Sequence, residues 1–276
     1  MQRTVRMIVP THRLLEGGGF PVRRPAAMGS LMSPFLLLDE MGPVDWPPGG
    51  AIGAPEHPHR GFETVTYLLE GRMQHGDSSG QHGDLEPGDV QWMTAGRGVI
   101  HEELPHPDFK EAGGVMHGFQ IWVNLPAEHK MMAPRYQDIP SSEIPTVESD
   151  GVWAKVIAGE CMGESAVIDT VIPITYLHLK MKSGSTHSQD ISAGLNGMVY
   201  VFGGSITIGD KVVLDGQLAL LEDGDSVDIE ATDDAQLLIL AGPELNEPIA
   251  RYGPFVMNTQ DEIRQAIIDY QAGRFA

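Results

Sequence analysis

Residues 57–71, HPHRGFETVTYLLEG, join a pair of histidines to a strand-forming run that stops at a glycine. Residues i and i+2 of an extended chain point to the same face, so the imidazoles of His57 and His59 can reach one ion. The β-branched and aromatic residues of TVTYLLE, bounded by Gly71, are typical of a β-strand. This stretch therefore predicts a β fold that presents two metal-binding side chains on one face.

A second histidine is followed by a carboxylate at the same spacing further along the chain. In His101-Glu102-Glu103, the side chains of His101 and Glu103 share a face, whereas Glu102 points away. On a strand beside the first pair, they would complete a set of three imidazoles and one carboxylate. That set suits Fe(II), Mn(II), Ni(II), Cu(II) or Zn(II) and leaves open positions on a six-coordinate metal. His-x-His-x3-Glu, from His57 to Glu63, also resembles the first motif of cupin barrels, and the resemblance implies Glu63 as a rival carboxylate ligand.

The second half of the chain repeats part of this pattern. Residues 67–77 and 200–210 both fit Y-x3-G-x4-G-D, at an offset of 133 residues. LEPGD at 85–89 similarly matches LEDGD at 221–225, at an offset of 136 residues. Two matches in the same order predict a duplicated domain, with chance agreement between common Gly-Asp turns as the alternative.

The offsets also show whether the second copy has the same candidate metal ligands as the first. They align His57 and His59 with Asp190 and Ser192, and they align the later pair with Leu237 and Ile239. The second copy therefore lacks the ligand set. His187 lies nearby, but one histidine alone is more often a core or surface residue than a ligand. We expect a single metal, bound in the first copy.

Both halves consist of short apolar and β-branched runs that glycine or proline interrupts. Examples are GDVQWMTAG and HGFQIWVNL in the first half, and PITYLHLKM and AQLLILAG in the second. In SITI-GD-KVVL, the Gly-Asp between two such runs predicts a hairpin. With 33 Gly and 20 Pro, the chain is expected to be all-β, with a barrel or sandwich in each half. The Pro- and Ser-rich residues 134–150 divide a domain at 1–135 from one at 136–276.

Helical signal is nearly confined to the C-terminus. Thr259 is a candidate N-cap, and Glu262 three residues later completes a capping box. An apolar stripe at i, i+3, i+4 and i+7 follows, and Gly273 would end the helix. The stripe consists of Ile263, Ala266, Ile267 and Tyr270.

Charge and cysteine content exclude several classes of protein. The 276 residues have a formal net charge of −20, which disfavours direct binding to nucleic acid. A single cysteine, Cys161, excludes an intramolecular disulfide framework and any Cys-rich metal site. No stretch approaches a membrane span, and the first residues lack the apolar core of a signal peptide. We expect a cytoplasmic protein, monomeric by default.

Several stretches together resemble the pirin family. They are FLLLDEMGP (35–43), HPHRGFETVTYLLEG (57–71), PGDVQWMTAGRGVIHEE (87–103) and GFQIWVNLPAEHKMMAPRYQ (118–137), and the likeness continues through the C-terminal half. The resemblance implies a bicupin, two tandem double-stranded β-helix barrels, with a metal in the N-terminal one. It implies as ligands the four residues that the spacing also selects: His57, His59, His101 and Glu103. The family pattern favours Glu103 over Glu63, which would then orient a histidine.

Similarity to pirins further implies quercetin 2,3-dioxygenase-type activity, in which O₂ is inserted into a flavonol and CO is lost. One divalent metal is expected, Fe(II) first and Mn, Ni, Cu, Co or Zn as alternatives. Glu103 would accept the proton of the substrate hydroxyl. The alternative that the family also implies is a regulator that binds another protein and uses its metal as a redox or conformational sensor. The acidic second half, with 21 acidic and 7 basic residues, would offer a face for a basic partner.

Other residues near these motifs have weaker claims to a functional role. Four apolar residues are candidate pocket walls but fit a plain barrel core better: Phe62, Trp92, Met93 and Phe119. Arg60 and Arg97 could attract an anionic substrate, although such arginines more often pair with one of the 38 carboxylates.

Overall fold

A computed structural model gives the structure of the chain and describes residues 1–78 and 80–275. The strands of the first half are β1 (Val5–Glu16), β2 (Phe20–Pro25), β3 (Phe35–Trp46), β4 (Ala54–His59), β5 (Phe62–Glu70), β6 (Met73–Asp77), β7 (His82–Leu85), β8 (Val90–Thr94), β9 (Val99–Pro105), β10 (Gly114–Asn124) and β11 (Arg135–Ile139). Those of the second half are β12 (Thr146–Ser149), β13 (Val152–Ala158), β14 (Glu160–Cys161), β15 (Glu164–Ser165), β16 (Thr175–Met181), β17 (Thr186–Asp190), β18 (Leu195–Gly203), β19 (Ser205–Ile208), β20 (Lys211–Leu214), β21 (Gln217–Leu221), β22 (Ser226–Ala231), β23 (Ala235–Pro243), β24 (Ala250–Tyr252) and β25 (Phe255–Met257). The α-helices are α1 (Pro107–Ala112) and α2 (Gln260–Gln271), and short 3-10 turns span Gly29–Met32 and Ala127–His129.

The first barrel comprises residues 13–24, 35–141 and 245–276. One sheet has the strand order β11-β8-β5-β10-β3-β2, and the facing sheet has the order β4-β9-β6-β7. The strands β5, β8 and β10 are almost wholly buried because they form the centre of the larger sheet. The smaller sheet brings β4 and β9, which contain the predicted ligands, side by side.

The second barrel comprises residues 1–12, 25–34 and 142–244. Its sheets follow the orders β21-β18-β23-β16-β13-β12 and β17-β22-β19-β20, and residues 5–10 pair with the edge strand β21. Alternate residues of these strands point inward and form a core that is almost entirely aliphatic, including Leu177, Val199 and Leu237. The interior of this barrel is therefore filled with hydrocarbon side chains.

The division of the chain differs from the predicted domains 1–135 and 136–276. The two units change over at residues 141 and 142, within the predicted linker 134–150. Each unit, however, also includes terminal segments from the opposite end of the chain. The N-terminal strand pairs with the second barrel, and the C-terminal helix packs on the first. Neither contact can be predicted from the amino-acid composition of the segments.

The structure corrects the repeat offsets. Tyr67 and Tyr200 lie on β5 and β18, which hold matching places in the two barrels. LEPGD, however, precedes β8, whereas LEDGD lies between β21 and β22, so these segments are not equivalent. The counterpart of β9 is β22, and its inward residues are Val227 and Ile229 rather than the predicted Leu237 and Ile239 of β23. Loops of different length between the strands make a constant offset unreliable.

The terminal helix is confirmed, including its capping box. The Thr259 hydroxyl accepts a hydrogen bond from the Glu262 amide, and the Glu262 side chain accepts one from the Thr259 amide. Ile263 and Ala266 bury the apolar stripe against the first barrel. Helix α1 is an element that the sequence analysis missed, since its six residues are too few for a clear periodicity. No helix of residues 1–78 and 80–275 is long and apolar enough to cross a membrane.

Lys130 should be essential for the stability of the first barrel. Its ammonium is buried and donates to the Gly61 carbonyl at 2.8 Å, to Asn124 Oδ1 at 2.6 Å and to the Val256 carbonyl at 3.0 Å. Lys130→Met keeps the length of the side chain but leaves three buried acceptors unsatisfied. We expect it to lower the free energy of unfolding by about 3 kcal/mol, measured in urea. The exposed Lys110→Met is the control, and an equal loss in both variants would contradict this role.

The thiol of Cys161 should be unreactive until the second barrel unfolds. The residue is 2% exposed, and burial raises the pKa of the thiol to about 11. At pH 8 the thiolate fraction is then about a hundredfold below that of a thiol with the ordinary pKa of 9.0. Titration with a thiol-specific disulfide reagent should be slow in buffer and immediate in guanidinium. Rapid stoichiometric reaction of the native protein would refute this placement.

Candidate metal centre

Two antiparallel strands bring the predicted histidines together. His57 on β4 is paired in register with His101 on β9, and His59 lies two residues further along β4 on the same face. Pro58 separates the two histidines without loss of structure because β4 is an edge strand, where a missing amide proton is tolerated. A register shift between Ala54 and His57 marks a bulge directly before the site.

The three imidazoles form a compact cluster. One ring nitrogen from each of His57, His59 and His101 can be chosen so that all three lie within 4.8 Å of one another. His101 is fully buried, yet neither of its ring nitrogens has a hydrogen-bond partner in the described structure. Buried polar atoms are rarely left without a partner, so one of these nitrogens fits a cation at the centre of the cluster.

The electrostatic environment keeps two of these imidazoles, His59 and His101, neutral. Burial lowers the pKa of His101 to about 4, with Glu103 offsetting part of the effect. Burial, together with repulsion from His101 and His57, also holds the pKa of His59 well below its usual value. A neutral imidazole has the free lone pair that metal coordination requires. His59 and His101 therefore have the protonation state of metal ligands at neutral pH.

The two candidate carboxylates are each hydrogen-bonded to a threonine, and Glu103 lines the same cavity as His57 and His59. The Thr66 hydroxyl donates to Glu103 Oε1 at 2.8 Å and lies 2.6 Å from Gln120 Oε1. Glu63 is fully buried and accepts a hydrogen bond from the Thr94 hydroxyl at 2.6 Å. Neither carboxylate belongs to the compact group of ligand atoms found among the described residues. Coordination by Glu103, and an orienting role for Glu63, stay predictions.

A cavity of about 520 Å³ opens onto His57, His59 and Glu103. This volume is ample for an aromatic molecule of several rings. Its apolar walls come largely from β2 and β3, which the sequence analysis did not connect with the site: Phe20, Val22, Leu37, Met41, Met73 and Trp122. The candidate wall residues proposed from the sequence are instead fully buried barrel core and do not line the cavity: Phe62, Trp92, Met93 and Phe119.

The arginines at the site also differ from those considered in the sequence. Arg60 forms a 2.8 Å ion pair with Asp269 and stacks on Phe275, so it fastens the C-terminal helix. Arg97 is exposed and lies outside the cavity lining. The lining instead contains Arg24 and Arg251, which are remote from the histidine motifs in sequence. Only the folded chain reveals that they line the same cavity as the candidate metal ligands His57 and His59.

The matching face of the second barrel lacks such a cluster. His187 lies on β17 with its Nε2 3.3 Å from Gln189 Oε1 and 3.8 Å from Cys161 Sγ. The predicted counterparts Asp190 and Ser192 are exposed. In the part of the chain that the structure describes, the three histidines of the first barrel are the one group of three or more side chains suited to a metal.

Comparison with known proteins identifies the family. A family model described as Pirin matches residues 20–123, and one described as Pirin C-terminal cupin domain matches residues 176–276. The chain belongs to the pirin family. The predicted all-β bicupin with a short C-terminal helix is thereby confirmed. Human Pirin is 42% identical over 98% of this chain and 92% of the human protein.

Solved structures support the same assignment. A structure titled as quercetin 2,3-dioxygenase from Acinetobacter baumannii has a TM-score of 0.96 and 38% identity to this pirin, covering 100% of this chain and 99% of that one. A bacterial pirin from Escherichia coli, solved with nickel(II), has a TM-score of 0.64 and 19% identity over 86% of this chain and 98% of that one. At that identity the second likeness concerns the fold alone.

Proposed function

We propose that this pirin is a metal-dependent dioxygenase that cleaves flavonols such as quercetin at a mononuclear centre in the first barrel. The observation that carries the proposal is a cluster of three imidazoles beside a largely apolar cavity. The likeness to a structure titled quercetin 2,3-dioxygenase adds the substrate class. Flavonol and O₂ are then the two substrates, and the chemistry is that of an oxidoreductase.

We further propose that His57, His59, His101 and Glu103 hold the metal. Fe(II) is our first choice, and Mn, Ni, Cu, Co or Zn also accept three imidazoles and a carboxylate. Glu103 can join the histidines because it shares the inward face of β9 with His101 and is held beside the cavity by Thr66. When bound, the metal acts as a Lewis acid that lowers the pKa of a coordinated enol hydroxyl.

The side chains around the centre then bind the substrate and move its proton. The apolar walls, among them Phe20 and Trp122, hold a flat ring system and exclude water from the reacting edge. The Glu103 carboxylate accepts the proton of the enol hydroxyl as general base. Thr66 donates to Glu103 Oε1, so the second oxygen, Oε2, would bind the metal and would accept that proton when this labile bond opens. We also propose that the protein is a cytoplasmic monomer.

The experiment that tests this function is metal analysis followed by an assay of flavonol consumption. Purified protein is measured for metal content, and quercetin absorbance is then followed under air with each candidate metal restored. About one metal per chain and loss of quercetin only in its presence would support the proposal. Bound metal with an unchanged quercetin spectrum would refute it and favour the regulatory alternative, in which a protein partner is retained or released with the metal's redox state.

A further inference from the structure

A hairpin from the C-terminal segment contributes an arginine to the cavity of the first barrel. Strands β24 and β25 form this hairpin, and their turn is Gly253-Pro254. The Arg60 amide donates to the Pro254 carbonyl at 3.3 Å, and the Val256 amide donates to the Arg60 carbonyl at 3.0 Å. Lys130 binds the Val256 carbonyl as well. These bonds fix the position of the hairpin on the barrel.

Arg251, on β24, lies flat against the wall of the cavity. The central carbon of its guanidinium is 4.8 Å from the centre of the Trp122 ring. The Trp122 ring in turn contacts the ring of His59, with centroids 5.4 Å apart, and that of Phe62, at 4.4 Å. Arg251 is thus held one aromatic ring away from His59 and is itself part of the cavity lining.

The two arginines of the lining differ in their contacts. Arg24 forms ion pairs with Asp39 at 2.5 Å and with Glu16 at 2.6 Å, so its guanidinium is already engaged by two carboxylates. No carboxylate of residues 1–78 and 80–275 forms an ion pair with Arg251, and the charges of Asp39 and Glu16 act on it only from farther away. The guanidinium N–H groups of Arg251, which is partly exposed to solvent, are therefore available to hydrogen-bond a ligand.

We propose that Arg251 recognises an anionic oxygen group of the substrate, at the end remote from the oxygens that chelate the metal. This inference rests on the proposed function and narrows its substrate class to flat, acidic chelators. A guanidinium stacked on an indole is pre-organised and presents its N–H edge to a carboxylate or phenolate. The apolar walls hold the ring system between that anchor and the histidines. Arg251 is therefore a specificity-determining residue.

Two matched probes test this assignment: 3-hydroxyflavone, which has only the chelating end, and its 4′-carboxylate derivative. Their affinities are measured by quenching of tryptophan fluorescence, with metal-loaded and with metal-free protein. In Arg251→Gln, the preference for the carboxylated probe should fall about tenfold. Arg251→Lys should keep part of the preference because it retains the charge. Arg97→Gln, an exposed arginine outside the cavity, should leave the preference unchanged.

The preference should also weaken with rising salt in wild type and not in Arg251→Gln. Equal loss of affinity for both probes in Arg251→Gln would overturn the assignment, as would an unchanged preference in that variant. The outcome is separate from that of the proposed function, since binding requires no turnover. If no metal form consumes quercetin while the carboxylate preference still depends on Arg251, the oxygenase proposal fails and the recognition site stands.

Discussion

Replacing His101 with alanine is expected to abolish metal binding. The side chain is fully buried, its two ring nitrogens lack protein partners, and its ring centroid lies 4.5 Å from that of His57 and 5.0 Å from that of His59. Loss of a direct ligand should weaken binding by more than the roughly 10–100-fold that the loss of a group supporting a ligand costs. Elemental analysis after dialysis should then fall from about one metal per chain to nearly none, and any metal-dependent turnover should disappear with it.

The same substitution should affect the metal-free fold only modestly. Alanine removes packing, but it also removes two desolvated nitrogens without protein partners, and these effects oppose each other. We expect the free energy of unfolding of the metal-free protein to change by less than the about 2–5 kcal/mol typical of Leu→Ala in a core. His187→Ala, a buried histidine of the second barrel, is the matched control and should retain the metal. A His101→Ala protein that still binds one metal tightly would disprove the ligand assignment.

The parts of the site that could be predicted from the sequence are those fixed by local geometry. The i, i+2 alternation of a strand places His57 and His59 on one face, and the structure confirms this because β4 is extended. The capping box at Thr259 and Glu262 is equally local and equally recognisable. Neither depends on how distant parts of the chain pack.

What the sequence could not predict depends on contacts between distant segments. Phe20 and Arg251 line the same cavity although more than two hundred residues separate them in the chain. The offset that aligned His101 with Leu237 failed for a related reason, since loop lengths differ between the barrels. The alternation of inward and outward side chains along a strand correctly predicts that Trp92 and Phe119 are buried. It does not show whether a buried side chain is packed on all sides or borders a cavity, because that depends on the size of side chains from distant strands.

The charges of the cavity follow from the same long-range packing. Arg24, Asp39 and Glu16 come from three strands and form ion pairs at one wall, with one positive and two negative charges. Arg251, from the C-terminal hairpin, stacks on the Trp122 ring. Residues from both ends of the chain thereby line the cavity onto which His57 and His59 open. The lining contains four carboxylates and two arginines, so Arg251 would act on a ligand through its own N–H groups and not through a positive field of the whole site.

Replacing Glu103 with glutamine is expected to reduce flavonol turnover by about a hundredfold or more, the usual contribution of a general base. The amide keeps the size of the side chain and can still accept the hydrogen bond from Thr66, so the cavity should keep its shape. It cannot take up a proton, however, and it is a weaker metal ligand than a carboxylate. The rate of quercetin loss is measured at saturating metal, so that weaker metal binding is not mistaken for slower chemistry.

Glu102→Gln is the matched control, because Glu102 is the adjacent residue of β9 and its side chain points to the opposite face of the strand. This variant removes the same charge without touching the cavity lining and should retain nearly full activity. Thr66→Val supplies an intermediate case: it keeps the carboxylate but removes the hydroxyl that orients it, and should slow turnover less than Glu103→Gln does. If Glu103→Gln and Glu102→Gln consume quercetin at the same rate, Glu103 is not the base, and the proton must leave by another group.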